Sequence, residues 1–317
     1  MAQHGVEKTV EQMKQQGFSL RFSVRAGEGS VIGDFLSAQL VEAHVQQLPL
    51  LFDAGCICID GEIVGPEALA VQGSVVGLRL PEHWEESVDT RWRLLWQNAE
   101  LLAVYKPHLL PVSRTTRNLY NTLISLVRRE TAFSDARLLH RLDTETAGVV
   151  LLAKNKQADQ KWKPRLDQLM KKKIYHAWVS GTAAWQDKVY ECELSEKTGS
   201  LIRSQMYVVS ANEPDLYPKP RYCKTAFSVL KLEPGRSLIR CELFTGRKHQ
   251  IRAQLASLGL PVIGDKLYSH DGYYYLKRIE QGLNTDDYVH LGAEHHLLEA
   301  VRCVISPEGK EIVISSD

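Results

Sequence analysis

Short apolar or alternating segments recur along the chain beyond residue 90 and have the pattern of buried or half-buried strands. They lie at residues 100–106, 148–154, 174–181, 188–194, 225–232, 237–244 and 299–306. Apolar residues at helical spacing predict helices between them, at residues 120–130, 161–170 and 249–259. Because these connections are too irregular for repeated βαβ crossovers, we predict an α+β fold with a mixed, mainly antiparallel sheet flanked by helices.

A smaller block of elements precedes this series. Its pattern predicts helices within residues 29–40 and 48–55, followed by strands within 56–64 and 73–81. We therefore divide the chain into four parts. They are a flexible arm at 1–18, a small α/β module at 19–82, an acidic linker at 83–90 and a main domain at 91–317.

The composition of the 317 residues is typical of a globular protein, with 44% hydrophobic and 24% charged residues. No apolar run approaches the length of a membrane span, and the first residues do not have the pattern of a secretory signal. We therefore expect a cytoplasmic protein. The six cysteines are scattered, and the one close pair, Cys56 and Cys58, alternates with isoleucines as in a strand, so we expect reduced thiols and no metal site.

The net charge of +1 conceals an asymmetry along the chain. Residues 1–90 contain five Lys or Arg against thirteen Asp or Glu, and the remainder contains 34 basic and 25 acidic residues. The two parts therefore carry net charges of −8 and +9. The main domain is consequently the candidate for binding a polyanion.

Asp143 lies in the segment LLHRLDTETAGVVLLAKN, residues 138–155, between a basic pair and an apolar strand. A carboxylate kept ionised by nearby cations is what nucleophilic or electrostatic catalysis requires. For a lone aspartate, a structural role in accepting backbone N–H bonds is the commoner interpretation. This segment alone leaves both interpretations open.

A second segment with candidate chemistry spans residues 243–268. Its pattern predicts a helix from residue 248 to residue 259. The side chains that this helix would bury are Ile251, Leu255 and Leu258. Arg247 and Lys248 then lie at the helix N-terminus, where the helix dipole disfavours cations unless a carboxylate or phosphate compensates. Arg252 is predicted one turn further along, beside the buried row.

A third segment, LMKKKIYHAWVSG at residues 169–181, joins three consecutive lysines to a strand. The alternation of this strand places Tyr175 on the same face as Ala177 and Val179. A lysine cluster beside an aromatic ring suits nucleic acid, because the charges contact phosphates and the ring stacks on a base. A solvated turn followed by a core tyrosine is the alternative.

Four segments resemble, in order, the motifs of the RluA-type pseudouridine synthases, which isomerise chosen uridines in ribosomal or transfer RNA. They are VYKPHLLPV at 104–112, HRLDTETAG at 140–148, KKIYHAWVSG at 172–181 and TGRKHQIRAQLASLGLPVIGDKLY at 245–268. The resemblance implies a pseudouridine synthase catalytic domain, an RNA-modifying isomerase. It also implies that the partner is structured RNA and that no cofactor or metal is needed; we expect a monomer.

The resemblance implies catalytic roles for three residues. Asp143 would be the nucleophile that helps to break the N-glycosidic bond, whether it adds to the sugar, adds to the base or promotes a glycal. Arg252 would form the ion pair that keeps Asp143 ionised and oriented. Tyr175 would stack on the uracil and help to remove the proton from C5.

The resemblance also implies a set of substrate-binding residues. Arg141 would fill the space that the flipped uridine leaves or hold the RNA backbone. Lys106 and Arg247 are expected at the edge of the site, where they contact phosphate or support loops. His140 and Ile251 complete this predicted set.

The chain departs from the family motifs at four positions. Ala147, Leu109, Gln254 and Glu299 stand where the family has Ser, Gly, His and His. The substitutions at Ala147 and Leu109 support an alternative hypothesis, an RNA-binding or ribosome-assembly factor on the same fold whose catalysis has decayed. The intact Asp143, Tyr175 and Arg252 argue against it. A nucleoside hydrolase that uses Asp143 is a second alternative.

The N-terminal module resembles the alpha-L RNA-binding motif of one ribosomal small-subunit protein and of tyrosyl-tRNA synthetases. The resemblance rests on the order helix, helix, strand, turn, strand and on the Asp60-Gly61 turn. Members of that family have a basic helix face. This copy has Arg21 and Arg25 upstream and mostly acidic residues inside.

Overall fold

The computed structural model describes residues 17–25 and 28–317, which form two compact units. The first unit contains the described residues up to Ser87 together with Ser113–Asp135, and the second contains Val88–Val112 and Ala136–Asp317. Apart from its last two residues, the predicted arm at 1–18 lies outside the described ranges. Among the helices in these ranges, none combines the length and the apolar character that crossing a membrane demands.

The first unit is a small α/β module with an antiparallel sheet. In chain order its elements are β1 (Phe18–Ser23), β2 (Ser30–Val31), α1 (Ile32–Gln39), α2 (Glu42–Val45), α3 (Leu48–Asp53), β3 (Ile57–Ile59), β4 (Glu62–Ile63), β5 (Leu69–Ala70), β6 (Val75–Leu80) and, in its second segment, α4 (Leu123–Glu130). The sheet has the order β1, β6, β3, β4, and β2 pairs separately with β5. The helices and strands predicted between residues 29 and 81 are confirmed.

The segment at 113–135 belongs to the first unit, although the sequence pattern assigned it to the main domain. Tyr120 is 3% exposed and lies in the hydrophobic core of that unit. The carboxylate of Glu85 accepts the backbone N–H groups of residues 119–121 at 2.8, 2.7 and 2.8 Å. Glu85 is itself buried, so the predicted linker at 83–90 is in part a packed segment of this unit.

The second unit carries one large sheet. Its elements are β7 (Arg93–Gln97), β8 (Leu101–Lys106), β9 (Arg137–Leu138), β10 (Ala147–Ala153), α5 (Lys156–Trp162), α6 (Leu166–Leu169), β11 (Met170–Ser180), β12 (Asp187–Ser195), β13 (Tyr207–Val208), β14 (Arg221–Glu233), β15 (Arg236–Leu243), α7 (Gln250–Ser257), α8 (Tyr273–Glu280), α9 (Thr285–Leu291), β16 (Leu298–Ile305) and β17 (Ile312–Ser315). Short 3₁₀ turns lie at Lys163–Arg165, Pro214–Leu216 and His270–Gly272.

The strand order confirms the predicted fold class. The sheet runs β13, β12, β14, β15, β11, β16, β10, β8, β7, with β17 added to β16 and β9 added to β10. Among the described strands of this sheet, β10 and β16 pair in parallel and the other neighbours pair antiparallel. All seven strands predicted beyond residue 90 are present, so this unit is a mixed, mainly antiparallel α+β structure.

Helix boundaries differ from the predictions where backbone geometry interrupts the pattern. The helix predicted at 161–170 is split into α5 and α6, because Pro164 lies in the 3₁₀ turn between them and cannot continue an α-helix. The helix predicted from residue 248 begins at Gln250, because His249 has a left-handed backbone with φ of 55°. The pattern did not predict α8, α9 and β17.

Three strands of the second unit bring their ends together below one loop. β8 ends at Lys106, while β10 and β16 begin at Ala147 and Leu298. Gly148 pairs with Lys106 on one side and with Ala300 on the other. Its φ of 111° and the 2.6 Å between an added Cβ and the Ala300 nitrogen leave room for glycine only. This close approach fixes the start of β10, and with it the loop at 140–146.

Candidate functional site

Asp143 lies in the loop that enters β10, and a neighbouring arginine holds its carboxylate. Arg252 Nη1 on α7 donates to Asp143 Oδ2 at 2.8 Å. Burial by itself would raise the pKa of Asp143, but the charge of Arg252, together with smaller contributions from His249, His296 and the Arg252 hydrogen bond, outweighs it and the net shift is downward. Because 30% of the Asp143 side chain stays exposed, the carboxylate is both ionised and reachable.

Arg252 is fixed from its other edge by a second carboxylate. Its Nε and Nη2 donate to Asp265 Oδ2 and Oδ1 at 2.7 and 2.9 Å, in a bidentate pair. Asp265 Oδ1 also accepts the backbone N–H groups of Leu267 and Tyr268 at 2.9 and 3.1 Å. Arg252 lies beside the apolar row of α7, which forms part of the hydrophobic core, but its burial was not predicted; the two carboxylates allow its guanidinium to be buried.

Tyr175 on β11 is the third residue that the sequence assigned to catalysis. It packs beside Ala177 and Val179 at the edge of the hydrophobic core, which confirms the predicted strand face. Burial raises the pKa of its phenol, and the negative charge of Asp143 raises it further. The hydroxyl is therefore neutral and lies within electrostatic range of the Asp143 carboxylate.

His249 and Tyr268 also contact this cluster, and sequence reasoning gave neither a role. His249 Nε2 lies 3.8 Å from Asp143 Oδ1, and its Nδ1 lies 3.1 Å from the Tyr268 hydroxyl. That hydroxyl accepts the Met206 N–H at 2.9 Å, so its own proton is available to Nδ1. This assignment leaves the ring proton on Nε2, facing Asp143. Burial and the charge of Arg252 lower the pKa of His249 to about 4, so the ring is neutral near pH 7.

Lys106 lies beneath the loop, with no exposed surface. Its Nζ donates to the carbonyl oxygens of Pro107, Leu110 and Thr144 at 2.8, 2.8 and 2.9 Å. Burial lowers the pKa of this ammonium to about 7. Of the two roles predicted for Lys106, the structure gives it loop support and leaves no surface for contact with a phosphate.

Two other predicted substrate residues are structural. His140 Nε2 accepts the Leu151 N–H at 3.0 Å, and burial lowers the pKa of the ring to about 4. Ile251 is 4% exposed and packs into the core, as the helical pattern required, so it has no surface with which to contact RNA. Its place in the substrate-binding set is corrected accordingly.

Three further cations belong to the segments that contain the predicted site residues, and two of them are exposed. Arg141 is exposed directly before Leu142 and Asp143. Arg247 is exposed as well, and its Nε donates to the Tyr222 carbonyl at 3.1 Å. Lys173 on β11 has a lowered pKa through burial, with a smaller contribution from the charge of Arg247.

A second carboxylate of the loop, Glu145, anchors the loop to the segments before β16. Lys266 Nζ donates to both of its oxygens at 3.0 and 3.1 Å, and the His296 backbone N–H donates at 3.0 Å. His296 Nε2 lies 2.7 Å from Thr146 Oγ1. The sequence offered no basis for this network, because its partners are more than 100 residues apart.

A cleft of about 430 Å³ lies beside this network. The rings of His108 and His295 line it with their centroids 3.9 Å apart, and His108 Nδ1 donates to the Glu145 carbonyl at 2.7 Å. In residues 17–25 and 28–317, no three His, Cys, Asp or Glu side chains are grouped so that they could hold a metal ion.

The motif departures leave the cluster of Asp143 and Arg252 in place. Leu109 keeps the left-handed conformation that a glycine would adopt, with φ of 65°. Ala147 is fully buried in β10. Gln254 is also fully buried, and its Oε1 accepts the Thr225 hydroxyl at 2.6 Å while its Nε2 donates to the Tyr190 carbonyl at 3.3 Å.

Comparison with known proteins places this geometry in context. A family model described as RNA pseudouridylate synthase matches residues 100–257, about half of the chain. An uncharacterised RNA pseudouridine synthase of Synechocystis is 27% identical over 295 residues, which are 90% of this chain and 99% of the relative. Human pseudouridylate synthase RPUSD2 is 32% identical over 177 residues, which are 56% of this chain and 31% of that protein.

Solved structures with the same fold include two human proteins. Human RNA pseudouridylate synthase domain containing 1 matches 73% of this chain and 86% of its own, with a TM-score of 0.56 and 19% identity. Human RNA pseudouridylate synthase domain containing 4 matches 71% of this chain and 88% of its own, with a TM-score of 0.51 and 24% identity. At these identities the likeness shows the fold.

Proposed function

Because this chain belongs to the RNA pseudouridine synthases, isomerases that convert uridine to pseudouridine in RNA, we propose that it acts on structured ribosomal or transfer RNA through the carboxylate of Asp143. The observation that carries the proposal is the chain of contacts from Asp143 through Arg252 to Asp265. It keeps one carboxylate ionised, oriented and partly exposed. Such a group suits attack on a nucleoside or stabilisation of positive charge at its sugar carbon.

The reaction exchanges one bond of the nucleoside for another. The bond between N1 of uracil and C1′ of ribose breaks, the base turns, C5 bonds to C1′ and the C5 proton is lost. A proton gained at N1 balances this loss, so no redox partner takes part. Asp143 assists the first bond cleavage, and Arg252 holds its charge during that step.

Tyr175 supports this reaction as a stacking partner for uracil. The charge of Asp143 acts on its phenol, so the ring is near the carboxylate, which supports stacking of the reacting base on it. The raised pKa keeps the phenol protonated, and a protonated phenol is a weak acceptor of the C5 proton. A carboxylate accepts a proton more readily. We therefore assign the late proton transfer to Asp143, after it has been released from the sugar or the base.

Substrate binding requires the uridine to leave its helical stack. Arg141 is exposed next to Asp143 and is suited to occupy the vacated position. Arg247 and the exposed lysines Lys171 and Lys172 supply charge for the RNA backbone. The residues of the Asp143 cluster all come from one chain, so a monomer is sufficient.

The test compares the wild-type protein with Asp143→Asn. RNA from cells with and without the gene is mapped for pseudouridine, and purified protein is assayed by tritium release from RNA labelled with [5-³H]uridine. We expect at least one site to disappear without the gene, and Asp143→Asn to restore none and to release no tritium while its melting temperature stays near wild type. Full activity in Asp143→Asn would refute the role of Asp143. RNA binding without tritium release by the wild type would favour the decayed RNA-binding factor.

A further inference from the structure

Two cysteines face each other across the β12–β14 strand pair. Cys192 and Cys223 occupy directly opposite positions in an antiparallel ladder, and their sulfur atoms lie 3.3 Å apart. Opposite residues in such a ladder have Cα atoms about 4.5–5.5 Å apart, which lies inside the range of about 4.4–6.8 Å that a disulfide needs. The two thiols are free, and the strand register already holds them within reach of each other.

The side-chain amide of Gln254 lies close to both sulfur atoms. Gln254 Nε2 lies 3.5 Å from Cys192 Sγ and 3.4 Å from Cys223 Sγ, positioned to donate to either one. The hydrogen bond from Cys223, followed by that from Gln254, outweighs burial and lowers the pKa of Cys192 to about 7. Cys192 is also the more exposed of the two, whereas Cys223 is fully buried.

The other described cysteines lack this arrangement. Cys241 and Cys303 are buried on β15 and β16, which are separated by β11, and burial raises the pKa of both. Cys56 and Cys58 are two residues apart in the first unit. Close approach, opposite register and a shared donor therefore distinguish one pair.

We propose that Cys192 and Cys223 form a reversible disulfide, a redox-modification site that acts on helix α7. The oxidant is a low-molecular-weight disulfide such as oxidised glutathione. The Cys192 thiolate attacks one of its sulfur atoms, the glutathione S–S bond breaks and one glutathione thiolate leaves. Cys223 then loses its proton and attacks Cys192 Sγ, which forms the internal disulfide and releases the second glutathione. Two protein thiols are oxidised and one glutathione disulfide is reduced to two thiols.

The link to α7 runs through Gln254 and rests on the proposed function. Bond formation brings the sulfur atoms from 3.3 Å to about 2.05 Å and turns the Cys192 sulfur to which Gln254 donates into a disulfide sulfur. Gln254 also accepts the Thr225 hydroxyl, which in turn accepts Gln250 Nε2 at 2.9 Å. These contacts hold α7, the helix that carries Arg252, against β14. The disulfide therefore moves Arg252, the ion-pair partner of Asp143.

The experiment oxidises the full-length protein with glutathione disulfide, blocks remaining thiols and maps tryptic peptides by mass spectrometry. Lys197 and Arg203 place the two cysteines on different peptides, so the disulfide appears as one linked species. We expect that species in the wild type and in the matched control Cys58→Ser, its absence in Cys192→Ser, and its loss with dithiothreitol. No linked species, or a different pair, would overturn the site.

Tritium release from labelled RNA is measured on the same samples. We expect kcat of the oxidised wild type to fall roughly threefold to tenfold, as for coupling through packed side chains, and to recover with dithiothreitol. Cys192→Ser should keep its activity under oxidation. An unchanged kcat in fully linked protein would overturn the action on α7. Peptide mapping requires no activity, so failure of the proposed function would be recognised separately.

Discussion

At the scale of single residues, the site depends on one guanidinium shared between two carboxylates. Asp265 takes the Nε edge of Arg252 and two backbone N–H groups, which leaves Nη1 directed at Asp143. Asp265 has no exposed surface and contacts no substrate-accessible space. It is a positioning residue, and its effect on Asp143 passes through the orientation of Arg252.

Replacing Asp265 by Asn should damage both stability and activity. The change keeps the shape but removes the charge that compensates a buried guanidinium, and breaking such a pair costs about 3–5 kcal/mol. Urea unfolding should report a loss of this size, and kcat should fall more than KM rises. Asp286→Asn, in an exposed position on α9, is the control and should change neither by much. Wild-type stability in Asp265→Asn would contradict the claim that Asp265 compensates the buried charge of Arg252.

His249 provides a second residue-scale test because its backbone constrains the choice of variant. Asparagine tolerates the left-handed conformation at φ of 55°, so His249→Asn removes the ring without forcing the backbone to change. Loss of the Nε2–H group that faces Asp143 should lower kcat by about tenfold, the effect of one orienting contact. His290→Asn, on the exposed side of α9, serves as the control. Equal kcat in both variants would exclude a positioning role for His249.

The residues of the site differ in how well the sequence predicts them. Asp143, Tyr175 and Arg252 follow from motifs, because their residue types and order are distinctive. Asp265 and His249 lie in the same motif, but their roles depend on contacts that spacing does not reveal. The burial of Arg252 was missed for a related reason, since helical periodicity counts an arginine as polar and carries no information about a carboxylate 109 residues away.

At the scale of elements, the strands were predictable and their junctions were not. Alternation and apolar runs predicted the seven long strands, because a half-buried strand requires that pattern. The helices α8 and α9 were missed because each has only two turns and one or two buried residues. The junction of β8, β10 and β16 was also hidden, since it joins segments nearly 200 residues apart.

The substitution Gly148→Ala tests whether the close approach of β10 to β16 is needed for stability. Gly148→Ala adds a Cβ that meets the Ala300 backbone at a φ of 111°, so we expect a loss of 3 kcal/mol or more, roughly the upper part of the range for single substitutions. Gly199→Ala is the matched control, because its φ of 78° is also positive but nothing lies within 4 Å. It should cost about 1–2 kcal/mol through the backbone alone. Equal losses in urea unfolding would show that the close approach to Ala300 is unimportant.

At the scale of the whole molecule, chain order and structural membership differ. Residues 113–135 are inserted between strands of the second unit but pack with the first, where Tyr120 joins the core. The periodicity of α4 predicted a helix correctly and gave no information about the body on which it packs. Charge, in contrast, was readable from the sequence, because a net charge needs no three-dimensional information.

The separation of charge leads to a prediction about RNA binding. Residues 113–135 of the first unit hold four arginines against two acidic residues, so the first unit carries −5 and the second +6. The cations that release counterions from RNA should therefore belong to the second unit. Removing one phosphate contact lowers the slope of log K against log salt by about 1. Lys172→Ala and Arg247→Ala, both at exposed positions of the second unit, should each lower the slope by about this amount.

Arg21→Ala is the matched control, because it removes an exposed cation from the acidic first unit and should leave the slope unchanged. Filter binding of a structured RNA between about 50 and 200 mM salt measures all three variants. If only Arg21→Ala lowered the slope of log K against log salt, RNA binding would instead belong to the N-terminal module. Arg21 would then contact a phosphate in spite of the acidic residues in that module.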